Sequence, residues 1–393
     1  MVISVQRTGA TPPYTFFMQK NPVLWTRLAE RYAEPRPRRM LALDGGGIRG
    51  MITLQIVKRI EEIVGQKLGT YFDYIAGTST GAIIAAGLAR GKTADELITF
   101  YRNTGPLMFD ERTLFSRWKS LYSSDPLVKE LQNVFGANTT LSPDDLDCLL
   151  LVITRNATTD SPWPISSNPQ AKYCGPERSD CNLKLPLWQL VRASTAAPVY
   201  FPPEVIRLDK NDPKKDFVFV DGGTTAYNNP AFLLYRMATL APYNLEWERG
   251  EDKLLLISVG TGSAPTTGPF AAAPETNLFS GLKSLAFAVM YAAQVDQDIN
   301  CRTVGRCVYG AAIDREIGDL VVPDSVQDQG RAFRYARYDA DLSAKGLDDL
   351  GVKGAIPERV QQLDAIDQID NLVTIGKAVA SRVQRQHFGT FLP

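Results

Sequence analysis

The chain has 393 residues, of which 44% are apolar and 22% charged, enough for one large α/β domain or two medium ones around a sizeable core. Lys plus Arg and Asp plus Glu both number 43, a balance that excludes a whole-molecule polyanion binder. No apolar run approaches the ~18 residues that span a bilayer, and the opening stretch, MVISVQRTGATPPYTFF, lacks the basic and apolar regions of a secretory signal.

Residues 1–39 read as an N-terminal extension. Pro22 to Tyr32 is expected to form a short helix with Val23, Leu24, Leu28 and Tyr32 inward, ended by Pro35 and Pro37. Arg27, Arg31, Arg36, Arg38 and Arg39 outnumber Glu30 and Glu34 here, which suits a solvated linker or an anionic lipid surface. Met40–Leu43 is continuously apolar, as a buried parallel strand should be. It leads into the turn Asp44-Gly45-Gly46-Gly47-Ile48-Arg49-Gly50 and a helix with Leu54, Val57, Ile60 and Val64 at helical spacing. A second strand, Tyr74–Ala76, feeds a second turn, Gly77-Thr78-Ser79-Thr80-Gly81. A small apolar helix over Ala82–Arg90 follows, capped by Gly91.

Further helices are expected at Ala94–Asn103 and Pro126–Phe135, then a buried strand at Cys148–Thr154. Residues 156–185, rich in Pro, Ser and Asn, read as one long loop. Leu187–Ala197 should be helical, ending at Pro198. Phe217–Val220 is a strand that runs at once into Asp221-Gly222-Gly223, followed by a helix over Asn229–Leu240 and a buried strand at Lys253–Val259. Gly262 to Pro274 is low in complexity and precedes an apolar helix at Leu282–Ala293. Residues 333–338 (FRYARY) alternate like an edge strand, and Leu363 to Val383 hold C-terminal helices. Strands alternating with helices predict a mostly parallel sheet covered on both faces. The expected organisation is an extension over 1–39, a catalytic unit over 40–310, and a C-terminal strand and helices over 311–393 packed on the same domain. The five cysteines, Cys148, Cys174, Cys181, Cys301 and Cys307, show no metal-type spacing. Cys174 and Cys181 share a polar loop where a disulfide is conceivable, but reduced thiols in a cytoplasmic protein are simpler.

Two glycine turns about thirty residues apart, each between a strand and a helix, would bring backbone N–H groups and a reactive side chain to one sheet edge. On such a turn Ser79 is held with Oγ clear of the sheet, and the start of the next helix favours a developing alkoxide. An incidental serine in a glycine turn is the alternative. The chain has a single histidine, His387, near its C-terminal end and expected at the surface. The base for Ser79 then falls to a carboxylate or a lysine. Asp221 is the best candidate, because the end of a parallel strand would share the carboxyl edge with Ser79; its alternative is a turn-forming Asp-Gly. Gly45, Gly46 and Gly47 offer N–H groups to an oxyanion. The same turn fits a dinucleotide fingerprint at Gly45, Gly47 and Gly50. Against that, Asp44 would set a carboxylate beside the pyrophosphate, and no acidic strand end follows about twenty residues on. The Arg/Tyr run at 333–338 has no wider basic patch to make it a nucleic-acid surface.

Taken together and in order, DGGGIRG (Asp44–Gly50), GTSTG (Gly77–Gly81), RASTAAPVYFPP (Arg192–Pro203) and DGG (Asp221–Gly223) resemble the patatin-like phospholipases, over roughly Met40 to Gly262. The resemblance implies a three-layer α/β/α fold and a Ser–Asp dyad without histidine. Carried over by motif, Ser79 is the nucleophile, Asp221 the base, and Gly45, Gly46 and Gly47 the oxyanion hole. Arg49 is tied to that hole or to phosphate, with a local carboxylate as an equal alternative, and Asp44, Gly77, Gly81, Gly222 and Gly223 support the motifs. The implied activity is a serine acyl hydrolase on membrane glycerophospholipid or lysophospholipid, with no cofactor or metal and with peripheral membrane association. Candidates for membrane contact are the basic N-terminal stretch, Gly262–Pro274 and Leu282–Ala293. A phospholipase effector of bacterial defence switched on by a small nucleotide, a thioesterase or acyltransferase, and an idle storage protein are the alternatives on the same fold.

Overall fold

The structure, a computed structural model, describes residues 22–109, 126–198, 200–209, 211–264, 278–323, 325–326 and 330–393. Among these residues nine strands form one sheet: β1 (Arg38–Leu43), β2 (Tyr74–Thr78), β3 (Leu149–Asn156), β4 (Ser161–Ser166), β5 (Glu204–Arg207), β6 (Asp216–Asp221), β7 (Leu254–Val259), β8 (Arg306–Tyr309) and β9 (Arg334–Tyr338). Their order is β5-β6-β3-β2-β1-β7-β9-β8, with β4 also paired on β3. The run from β3 to β8 is parallel, and β4, β5 and β6 are antiparallel to their neighbours.

Side-chain alternation along β1 sets the layers. Leu41 and Leu43 enter one hydrophobic core, Met40 and Ala42 the other. A strand buried on both faces must be apolar at every position, which is why this one reads as a continuous run. The first core is covered by α1 (Gly50–Val64), α2 (Thr80–Ala89), α3 (Ala94–Phe109), α4 (Pro126–Phe135), α5 (Leu187–Ser194) and, from the far end of the chain, α8 (Ile369–Ala380). The second is covered by α6 (Ala231–Thr239), α7 (Leu278–Val304) and the N-terminal helical turns. The chain is therefore a three-layer α/β/α fold. Every residue of α2 is buried, as its uniformly apolar sequence requires.

Several expectations change. Residues 22–39 are neither a solvated linker nor a free basic face, because Trp25, Leu28 and Tyr32 are buried. Arg31, Arg36 and Arg38 converge on the fully buried Asp73, and Arg31 also donates to the carbonyls of Gly69, Thr70, Phe72 and Asp147. Val23 is 82% exposed, since a 3₁₀ turn at Thr26–Leu28 breaks the helical phase. Within 156–185 a strand was hidden: the Asn156 side chain accepts from the N–H groups of Thr158 and Thr159 (2.8 and 3.1 Å), and the chain returns as β4. Residues 334–338 are not an edge, because β9 lies between β7 and β8. All five cysteines are free and buried. Residues 265–274 of the low-complexity stretch lie outside the described residues. Among the described residues, no helix is long and apolar enough to cross a membrane, and no group of three or more His, Cys, Asp or Glu is placed to hold a metal ion.

Candidate active site

Strand β3 decides where the site forms. One of its edges carries β4 over Leu151–Asn156. The other edge is shared: β2 runs parallel along Leu149–Ile153, and β6 runs antiparallel along Thr154–Asn156. Two strands on one edge with opposite directions meet end to end. Thr78 closes β2 opposite Ile153, and Asp221 closes β6 opposite the next residue, Thr154. This corrects the expected parallel strand before Asp221. The aspartate reaches Ser79 by arriving from the opposite direction, not by sharing a carboxyl edge. The Ser79 hydroxyl donates to Asp221 Oδ2 at 2.6 Å, and Gly223 N–H donates to Oδ1 at 2.7 Å.

Ser79 sits at φ 53°, ψ −122°, between the end of β2 and the start of α2. A side chain in that region is strained, and the surroundings hold it there. Its N–H donates to Ser194 Oγ (2.9 Å), which itself donates to the Ile153 carbonyl (2.6 Å). Gly77 and Gly81 allow the tight return: a Cβ on Gly77 would lie 2.1 Å from the Gly81 carbonyl oxygen. Asp221 is 5% exposed. Burial pushes its carboxyl up to about 6, while the Ser79 hydroxyl and the Gly223 N–H hold it down. It is thus ionised at neutral pH and a stronger base than a free aspartate.

The first glycine turn lies against this pair, since a Cβ on Gly45 would come within 3.2 Å of Ser79 Cβ. Of its three glycine N–H groups, that of Gly45 is taken by the Asn228 carbonyl at 3.1 Å. This narrows the expected donor set. Among the described residues, the N–H groups of Gly46 and Gly47 have no partner. Gly47 adopts φ 58° beneath the Leu363 carbonyl, 2.3 Å from where a Cβ would stand, and only glycine fits there. The turn is tied down by Thr261 Oγ1 donating to the Gly45 carbonyl (2.9 Å) and by Ile48 N–H donating to Leu363 (2.9 Å).

Asp44, fully buried, receives Arg337 on both oxygens (2.9 and 2.6 Å) and Gln294 Nε2 at 3.1 Å. Arg49 is buried and donates from Nε to the Gly46 carbonyl at 3.4 Å. Among the described residues it forms no ion pair, so the local-carboxylate alternative is not realised as a contact. Burial lowers its pKa to about 10, and Asp339 and Asp44 work against that; it stays a cation at neutral pH. His387 is buried, not at the surface. Its Nδ1 shares a 2.7 Å hydrogen bond with the Tyr338 hydroxyl and its ring stacks on Tyr309. Burial, with Arg334 nearby, lowers its pKa to about 4, so it is neutral at pH 7, and its ring is engaged by Tyr338 and Tyr309 and not by Ser79.

A strained serine bonded to a buried carboxylate, beside two free N–H groups, has the parts needed for acyl transfer. The family model for patatin-like phospholipases matches residues 41–235. A cUMP-AMP-activated phospholipase of Escherichia coli is 31% identical over 242 residues, covering 62% of this chain and 70% of that protein. The chain belongs to the patatin-like phospholipase family. A cGAMP-activated phospholipase of Vibrio cholerae is 35% identical over 216 residues, 50% of this chain and 56% of that one. An intracellular phospholipase A2 of Caenorhabditis elegans is 33% identical over 234 residues, 58% of this chain and 20% of that one. The chain thus spans about half the length of the Vibrio cholerae relative and a fifth of the worm protein.

The patatin-like match contains Asp44, Ser79, Ser194, Asp221 and Asn228, but Thr261, Gln294, Arg337 and Leu363 lie beyond it. Sequence reasoning missed the roles of Ser194, Asn228 and all four of the latter. For Arg337 a signal existed: a charged residue in the middle of a buried aromatic strand needs a buried partner. Thr261 and Leu363 act through a hydroxyl and a backbone carbonyl, which leave no comparable mark.

Proposed function

We propose that the chain is a serine acyl hydrolase that cleaves carboxylic esters of glycerophospholipids or lysophospholipids. The observation that carries this reading is the 2.6 Å bond from Ser79 Oγ to Asp221 Oδ2 beside the N–H groups of Gly46 and Gly47, which have no partner among the described residues. Ser79 attacks the ester carbonyl as Asp221 takes its proton. The tetrahedral oxyanion accepts from Gly46 and Gly47, with the Arg49 cation adding positive potential from behind. Collapse expels the lysolipid or glycerol-side alcohol, which takes the proton back from Asp221. Water, deprotonated by Asp221, attacks the acyl carbon, and the fatty acid leaves as Ser79 Oγ takes the proton back from Asp221. No step calls on a metal or cofactor.

Family membership and phospholipase relatives support the substrate class. That substrate class calls for contact with a membrane surface, and we propose peripheral contact from the cytoplasmic side. Two of the relatives are named as activated by cGAMP and by cUMP-AMP, which favours a second reading in which a small cyclic nucleotide switches this enzyme on. Thioesterase or acyltransfer chemistry would use the same residues on another acyl donor. One experiment sorts these readings: fatty-acid release from mixed phospholipid vesicles, by mass spectrometry, for wild type, Ser79→Ala and Asp221→Ala, with and without cyclic dinucleotides. Release by wild type that both variants lose is expected; release that appears only with a nucleotide selects the regulated form. Activity surviving in Ser79→Ala would overturn the assignment.

A further inference from the structure

Asp44 opens the first glycine turn, and a carboxylate buried that deeply is tolerated only where other groups compensate its charge. Those groups come from outside the matched family segment. Arg337, the penultimate residue of β9 and 4% exposed, holds both carboxylate oxygens in a fork, and Gln294 of α7 adds a third donor. The same guanidinium donates to Ser258 Oγ and to Asp339 Oδ2, each at 2.8 Å. Asp339 Oδ1 accepts from Gly262 N–H at 2.8 Å. The residue before it, Thr261, holds the Gly45 carbonyl. The chain of contacts therefore closes on itself, from Asp44 through Arg337, Asp339, Gly262 and Thr261 to Gly45. It grips the turn at two successive residues. The free N–H groups of Gly46 and Gly47 follow directly.

The charges are balanced as well. Asp44 and Asp339 face Arg337, and Arg49 lies in the field of both carboxylates. Burial pushes the Asp44 carboxyl up to about 7 even though Arg337 holds it down, so without Arg337 it would take up a proton and cease to be the anion the fork grips. The turn would also lose its fixed point. Oxyanion donors act only when aimed at the place where charge develops, and supporting residues must hold them to roughly 0.5 Å.

We propose that Arg337 is a positioning residue for ester hydrolysis, fixing the Gly45–Gly47 turn through its fork on Asp44 and Asp339. This rests on the reading of Ser79 as the acyl nucleophile. It gives the segment beyond residue 235 a direct part in the chemistry, because β9 supplies the fork and α7 the third donor. Lysine is not equivalent at this place: one ammonium cannot present two parallel N–H bonds to Asp44 and reach Asp339 and Ser258 together.

The test uses the full chain with a soluble 4-nitrophenyl ester and a fluorophosphonate that labels reactive serines. Arg337→Ala, Arg337→Lys and the charge-neutral pair Asp44→Asn with Arg337→Met are compared with wild type, with thermal melting as the check of folding. Folded variants should lose about tenfold or more in kcat while KM stays within about twofold, and label Ser79 correspondingly more slowly. Millimolar guanidinium should restore part of the kcat of Arg337→Ala. The neutral pair separates position from charge: it should remain slow although no charge is left unbalanced. Wild-type kcat in any folded variant would overturn the proposal, as would a loss confined to KM. If Arg337→Ala does not fold, Arg337→Lys and the neutral pair decide by the same criteria. Wild type that fails to label at Ser79 would instead remove the nucleophile reading, and the Arg337 proposal with it.

Discussion

The two glycine turns share a local recipe and are held in different ways. Each follows a buried parallel strand and precedes a helix, and β1 and β2 are neighbours in the sheet. The Ser79 turn closes within its own strand and helix, with Gly77 packed against Gly81; its Ser79 N–H is tied to Ser194, while Asp221, Tyr227 and Tyr101 bind its hydroxyls and Tyr101 also the Thr80 carbonyl. The Gly45–Gly47 turn is held by Asn228, Thr261, Arg337 and Leu363, four separate parts of the chain. A nucleophile needs one strained residue kept in place, which a tight strand–turn–helix unit supplies. Two N–H groups aimed at a point in space need support from several directions, and only tertiary structure provides that.

That contrast orders the expected effects. The largest comes from the meeting of the two strand ends. Asp221→Asn should keep the hydrogen bond to Gly223 and lower kcat by about 10³-fold or more, since the base is gone. The same variant should be more stable at pH 7. The folded-state pKa of Asp221 is raised to about 6, so the native state disfavours the ionised carboxylate. That penalty is absent below the unfolded-state value near 3.9 and complete above about 6. Asparagine should therefore gain roughly 1–3 kcal/mol at neutral pH, read by thermal melting, and the gain should vanish as pH falls from 6 to 4. In wild type, kcat/KM should drop about tenfold per pH unit below 6 and level off above it. A flat profile from pH 5 to 8 would break the link between Asp221 and catalysis.

The next effect tests the non-local turn. A Cβ on Gly46 would meet Thr261 Oγ1 at 2.1 Å, so Gly46→Ala must displace either the turn or Thr261. A loss of about 10²-fold in kcat is expected, with a small change in KM, measured on a soluble ester. The smallest concerns Ser194, the outside ligand of the Ser79 N–H. Ser194→Ala leaves Ser79 N–H and the Ile153 carbonyl without their hydroxyl partner, which should lower stability by about 1–2 kcal/mol and kcat by less than Gly46→Ala does. If Ser194→Ala proved the more damaging to kcat, the contrast between the turns would be reversed.

The same contrast explains what could be read from the chain alone. Both strand–turn–helix units, the buried β3 and β7, and the pairing of Ser79 with Asp221 were legible, because apolar runs and glycine positions encode them locally. Strand direction is not encoded locally, so β6 was expected to be parallel although it runs against β3. The four residues of β5 are too few to show a period, and β4 sat behind an Asn156 turn inside a polar stretch. Arg27 to Arg39 looked solvated because Asp73, which gathers three of these arginines, lies more than thirty residues away. His387 is buried through contacts with Tyr309 and Tyr338 that its own neighbours do not announce.

The most direct test of the central claim is to trap the covalent intermediate. Wild-type protein turning over a short-chain phospholipid, quenched in acid within milliseconds and digested, should yield the peptide containing Ser79 with the mass of one acyl chain added. Ser79→Ala should show neither the adduct nor fatty-acid release. Sustained release with the acyl group on another residue, or with none on the protein, would contradict the account.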